Sequence, residues 1–170
     1  MRRLWVALVA ALALASCAQS GGAAELVVAR VADGDTLTLT NGSKIRLVQI
    51  DAPEIAAQEC YAQAARRELL RLAPVGSHVA LEGDPALGGA DRTGRLLRYV
   101  KRGTTNVNLE LVRRGAAAPY FFGGDRGRYA SQLMAAASVA RSQQRGFWGA
   151  SPRTRLNPNR QVETGSCSVR

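Results

Sequence analysis

Asp33, Asp35, Asp51 and Glu54 stand beside turn sequences at the ends of strand-like runs. Carboxylates grouped at the rim of a sheet are placed to share a cation, and Ca2+ takes roughly six to eight oxygen ligands from carboxylates, backbone carbonyls and water. Asp35, Asp51 and the backbone carbonyl of Ala52 would make such a site. Taken alone, however, Asp33-Gly34-Asp35-Thr36 reads as a plain turn, because Asp and Gly are what turns favour. Arg46 lies inside the apolar stretch Ile45–Ile50, where a permanent charge needs a partner or a route to the rim. Arg95 closes the turn-like Asp91-Arg92-Thr93-Gly94-Arg95. Two arginines facing a metal would suit a phosphodiester, whose transition state gains negative charge on oxygen. Singly, they read as a strand-end and a loop arginine. In an unbroken extended strand, Arg46 and Asp51 would be about 16 Å apart and on opposite faces, so strand geometry alone does not join them.

Composition narrows the chemistry. The 170 residues contain 23 Lys+Arg against 13 Asp+Glu, a formal charge of +10. Lys44 and Lys101 are the only lysines. Arginine's planar fork pairs with phosphate and carboxylate better than an ammonium does, although a GC-rich genome also favours arginine. The net charge itself points to a polyanionic partner. A single histidine, His78, excludes His-rich metal sites and His-pair acid–base chemistry. Carboxylates, arginines and a hard metal ion remain.

The N-terminus reads as an export signal. Arg2 and Arg3 precede the apolar run Leu4–Ala15, which is shorter than the about 20 residues of a transmembrane helix. Leu14-Ala15-Ser16-Cys17 has the form of a lipobox, with residues 1–16 as signal peptide and Cys17 lipidated as a membrane anchor; cleavage after Ala24 is the alternative. Either route takes the protein out of the cytoplasm, as an envelope lipoprotein facing the periplasm or exterior or as a secreted protein. With Cys17 acylated, Cys60 and Cys167 remain as an even pair that an oxidising compartment would allow to join, or to stay as unrelated thiols.

The elements that must position these residues follow from periodicity. Glu25–Val31 and Thr36–Thr40 are β-rich, and Asn41-Gly42 predicts a type I′ hairpin into a strand over Lys44–Ile50. Tyr61–Leu72 has a helical stripe of Ala65, Leu69 and Leu72. Ser77–Glu82 and Leu96–Lys101 read as strands separated by the loop Gly83–Arg95. Val107–Arg114 reads as a helix stopped by Gly115, and Tyr129–Arg145 as one with Tyr129, Leu133, Ala136 and Ala140 inward. Residues 25–149 form the domain and 150–170 an irregular C-terminal tail. About five strands with three helices suit a small closed or partly open β-barrel with helical cover.

Asp33-Gly34-Asp35-Thr36, Arg46 through Glu54, Asp91 through Arg95, and Val107-Asn108-Leu109 through Gly115 together resemble the staphylococcal nuclease (thermonuclease) family in order and spacing. The resemblance covers roughly Glu25 to Trp148. It implies an OB-fold: a five-stranded barrel with three α-helices, of the α+β class. It also implies a Ca2+-dependent phosphodiesterase acting on DNA and RNA that leaves 3′-phosphate ends. Position by position, Asp35 and Asp51 match the metal carboxylates, with the Ala52 carbonyl as backbone ligand. Arg46 and Arg95 match the arginines on the phosphate, and Glu54 the general base. Ala52 stands where a well-known member has a hydroxyl residue. Arg92, Tyr120 and Phe121 are the candidate substrate contacts, one of the two aromatics being expected in the core. A monomer is expected. Ca2+ over Mn2+ or Mg2+ rests on the resemblance, since two carboxylates do not select among hard cations. The competing readings are a non-catalytic OB-type nucleic-acid-binding lipoprotein and a structural envelope lipoprotein.

Overall fold

The computed structural model describes residues 26–151 and 153–167; the apolar leader, Cys17 and the alternative cleavage point lie outside them. β1 (Val28–Val31), β2 (Thr36–Leu39) and β3 (Lys44–Leu47) form an antiparallel meander. The first turn is tied by the Asp33 carboxylate, which accepts from the Asp35 N–H at 3.1 Å. The second departs from type I′. Only Gly42 takes a left-handed φ, of 85°, while the Asn41 side chain accepts from the Ser43 N–H at 3.0 Å. Gly42 N–H donates to Leu39 O, giving a longer turn that ends in a left-handed glycine and matches the strand twist by another route.

β3 ends at Leu47, short of the expected Ile50. The chain turns at Val48–Gln49, with Gln49 at φ 63°, and resumes as β4 (Ile50–Asp51). Distant residues hold this turn. Asn108 Nδ2 donates to Val48 O at 2.9 Å, and its Oδ1 accepts from Val100 N at the same distance. Tyr99 Oη donates to Gln49 Oε1 at 3.1 Å, and Gln49 Nε2 donates to Asp125 O at 2.9 Å.

After α1 (Ala62–Leu72), β5 (Ala80–Glu82) pairs antiparallel with β6 (Leu96–Arg102), and β6 lies parallel to β3, giving the order β1-β2-β3-β6-β5. The sheet closes on itself where the lead-in to β5 meets β1. Val28 N–H donates to Ser77 O at 3.0 Å, Val79 N–H donates to Leu26 O at 2.8 Å, and Val27 bridges His78. Closure removes the exposed edges of the sheet. The result is the expected OB-like barrel, and it is filled by Leu37, Ile45, Leu47 and Val100.

β7 (Thr105–Asn106) folds back antiparallel on the end of β6 and leads into α2 (Val107–Arg113), whose N-cap Asn106 accepts from Leu109 N–H at 3.2 Å. β8 (Ala118–Pro119) pairs antiparallel with β4, setting Ala118 opposite Asp51. α3 (Ala130–Ser142) stops before the expected Arg145, and its buried stripe is Ala130, Leu133, Ala137 and Ala140 rather than one through Ala136. The alanine-rich segment fits either phase, and packing selects this one. α4 (Phe147–Ala150) buries Phe147 and Trp148.

Among the described residues, 151 and 153–167 form no regular element, yet they pack on the domain. A disulfide joins Cys60 to Cys167, and Val162 and Thr164 are buried. Val162 belongs to a small apolar cluster with Phe147 and Trp148. Among the described residues, no helix is long and apolar enough to cross a membrane.

Candidate active site

The break at Val48–Gln49 brings Arg46 and Asp51 together. Arg46 Nη1 donates to Leu47 O and Ile50 O at 2.8 and 2.7 Å, bracing the turn from within. Its Nη2 lies 2.8 Å from Asp51 Oδ1 and 3.2 Å from Asp35 Oδ2. Asp35 arrives from the neighbouring strand. The register pairs Thr36 with Arg46, and Leu47 N–H donates to Asp35 O at 2.8 Å. The Asp35 carboxylate accepts from Ala52 N–H at 2.9 Å and from Thr36 Oγ1 at 3.1 Å. The Asp33-Gly34-Asp35 stretch is thus a turn and a site element at once. Gly34 permits the approach: a Cβ there would stand 2.5 Å from Ala52 Cβ and 2.8 Å from Ala65 Cβ.

Asp35 and Asp51 are 4% and 1% exposed. Burial pushes the Asp35 carboxyl up to about 7 against the pull of Arg46, with Asp33 and Asp51 adding to the rise. Asp51 is also raised by burial, opposed by Arg46, the Val162 N–H and the Gln161 side chain. Burial works to lower the Arg46 guanidinium, but Asp35 and Asp51 outweigh it and the net shift is upward. Glu54 sits exposed at the mouth and is raised by partial burial, then by the charges of Asp33 and Asp51. Its backbone N–H donates to Glu59 Oε2 at 2.7 Å, which sets an additional carboxylate beside it.

Two buried carboxylates converging on one cationic nitrogen, beside the Ala52 backbone, form a hard-oxygen donor set. Such a set fits Ca2+ or a similar ion with waters completing its shell. Among the described residues, no three His, Cys, Asp or Glu side chains gather as a metal cage. The Arg46 guanidinium is the cation the pair shares.

The remaining candidates divide. Arg95 precedes β6, whose Leu96 lies opposite Ile45 of β3, so it belongs to the strand beside Arg46. Its Nε donates to Asp91 Oδ2 at 2.7 Å rather than to Asp35 or Asp51. Asp91 also accepts from Thr93 N–H and Thr93 Oγ1, and these bonds with those of Arg95 hold its carboxyl below the usual range despite burial. Arg92 is exposed at the tip of this loop. Tyr120 follows β8 and is half-buried, its N–H donating to Gln49 O at 3.0 Å. Phe121 is a correction: it is 1% exposed and packed in the core, with no free face for a base. Phe122, 68% exposed and edge-on to Tyr120 at 6.4 Å between ring centroids, is the aromatic that faces solvent. Residues alternate in direction along extended chain, so one shift in phase exchanges the two phenylalanines.

Asn108 and Gln49 stood in the sequence only as members of the family pattern, with no positioning role, and nothing there signalled the Val162 N–H, which donates to Asp51 Oδ2 at 2.8 Å. A buried Asn inside an apolar helix face was the one available signal, since its amide must find backbone partners. The barrel with this carboxylate–arginine cluster at its rim defines the class.

The chain matches the family described as "Staphylococcal nuclease homologue" over residues 44–150, and it belongs to that family. The turn carrying Asp35 precedes the matched span. The chain is similar to "Endonuclease YhcR" of Bacillus subtilis (strain 168), at 34% identity over 75% of this chain and 12% of that protein. It is also similar to "Uncharacterized endonuclease" of Haemophilus influenzae (strain ATCC 51907 / DSM 11121 / KW20 / Rd), at 36% identity over 63% of this chain and 57% of that protein. The chain therefore spans just over half of one relative and a small part of the other.

Proposed function

We propose that the protein hydrolyses phosphodiester bonds of DNA and RNA with the help of one divalent cation, Ca2+ in the first place. The observation that carries this reading is the pairing of Arg46 with the buried carboxylates of Asp35 and Asp51 at the barrel rim. Family membership and the endonuclease names of the two relatives support it.

Asp35, Asp51 and the Ala52 carbonyl would hold the cation, which when bound would supply Lewis-acid charge to a phosphate oxygen. Arg46, whose Nη2 is paired with Asp35 and Asp51 here, would exchange those contacts for the phosphate once the cation takes the carboxylates, as negative charge grows on the equatorial oxygens. Arg95 turns from Asp91 to the same phosphate, its guanidinium being tied there by Nε. Exposed Glu54 takes the proton of the attacking water, acting as an ionised carboxylate base. Arg92 and Tyr120 meet the substrate outside the reacting centre, with Phe122 in the place first given to Phe121. The export signal, lipidation at Cys17 and a monomeric state complete the proposal.

Cleavage of single-stranded DNA by the purified protein, with Ca2+ and with a chelator, tests it. Cutting that requires the ion is expected. Salt-sensitive binding without cutting in any divalent ion would instead make this a nucleic-acid-binding module on the same barrel.

A further inference from the structure

We infer that the C-terminal strap, residues 157–167, is a built part of the metal centre, its Val162 N–H orienting Asp51 for the cation. This rests on the metal-dependent reading above. Asp51 is gripped from two directions: Arg46 Nη2 holds Oδ1 and the Val162 N–H holds Oδ2, each at 2.8 Å. One donor comes from the barrel and the other from the far end of the chain. A carboxylate held by one oxygen can swing about that contact, whereas one held by both is fixed in plane and direction. Hydrogen bonds of this kind to metal-ligating groups typically set affinity by about 10- to 100-fold.

The strap is anchored on both sides of Val162. Before it, Phe121 N–H donates to Pro158 O. After it, Thr164 Oγ1 donates to Cys60 O at 2.8 Å, Cys60 N–H donates to Gly165 O at 2.6 Å, and Ser151 Oγ donates to Thr164 O at 2.6 Å. The Cys60–Cys167 disulfide closes the end. The Val162 side chain beds with Phe147 and Trp148, so backbone placement and side-chain burial agree. Cys60 lies in the short connection between Glu54 and α1, so the same staple ties the strap to the segment carrying the candidate base. Reduction by a dithiol would pass two electrons and two protons to this bond, leaving two thiols and an oxidised dithiol, and would release the strap from Asp51.

The test is Ca2+ binding by titration calorimetry, with thermal unfolding in chelator as the check on folding. Val162→Pro removes the N–H with the disulfide intact, Cys60→Ser/Cys167→Ser frees the strap, and Glu163→Gln changes an exposed residue on it. We expect at least about tenfold weaker Ca2+ binding in the first two, both still unfolding cooperatively, and a change below about threefold in the third. Dithiol treatment should move the wild-type protein to the affinity of the double variant and leave that variant unchanged. Wild-type binding with equal affinity in Val162→Pro and the double variant would overturn the inference alone. A wild-type protein that neither binds Ca2+ nor cuts would overturn the metal-dependent reading and this inference with it. Loss of cooperative unfolding in both variants would assign the strap to stability only and also overturn it.

Discussion

Arg46 is the cation paired with two carboxylates that are almost completely removed from water, and it braces the turn that delivers one of them. Arg46→Ala should therefore act twice. It leaves buried charge unpaired, costing about 3 kcal/mol in chelator by denaturant unfolding, and it slows turnover by at least about 100-fold. Arg46→Lys should recover part of the stability and little of the rate, because an ammonium cannot span both carboxylates and both carbonyls. A rate change below about threefold in Arg46→Ala would count against the assigned role. Asp84 is one of the carboxylates that contribute to acid sensitivity. The Arg128 N–H donates to Asp84 Oδ2 at 2.7 Å and the Ala86 N–H to Oδ1 at 3.1 Å, and these bonds hold the Asp84 carboxyl below its ordinary range. Its pKa is lower folded than unfolded, so its contribution is whole above the unfolded value near 4 and is lost as pH falls through the folded one. Asp84→Asn should flatten stability against pH below about 4, read by urea unfolding at stepped pH.

At the scale of elements, three segments must meet: the β1–β2 turn, the broken strand of β3 and β4, and α1. Gly34 lies at their junction, so Gly34→Ala should cost about 1–3 kcal/mol and depress cleavage by moving Asp35. Gly89→Ala, with open space around the new methyl group, should stay within about 0.5 kcal/mol. Thermal melting of the pair separates crowding from a general loss of glycine. The hairpins, the α1 stripe and the stop at Gly115 were legible because each is written locally, in period and turn chemistry. The break in β3 was not. Ile45 through Ile50 reads as continuous strand, and Gln49 adopts a left-handed φ because Tyr99, Asn108 and Asp125 satisfy the turn from far along the chain. The site residues were therefore named by family pattern, while their convergence is a tertiary fact. Phe121 rather than Tyr120 enters the core for the same reason: local pattern gives adjacent aromatics, and packing decides which ring is buried.

Across the whole molecule, closure of the sheet and the return of the chain end hold the two ends of the described domain against its middle. Composition indicated an irregular tail over residues 150–170, because docking through single backbone bonds and one disulfide leaves no periodic trace. The Cys60–Cys167 bond closes a separation of 107 residues, so its removal should cost roughly 2–5 kcal/mol, seen as a lower melting temperature in Cys60→Ser/Cys167→Ser. The formal charge of +10 suits a polyanionic substrate, but charge alone would serve a binding protein equally. The measurement that separates enzyme from binder is the rate of single-stranded DNA cleavage in Ca2+ by the wild-type protein beside Glu54→Gln, with binding followed in parallel. Ca2+-dependent cutting that falls by at least about 100-fold in the variant, with DNA binding retained, is the expected result. Equal cutting by both proteins, or none by the wild type, would contradict it.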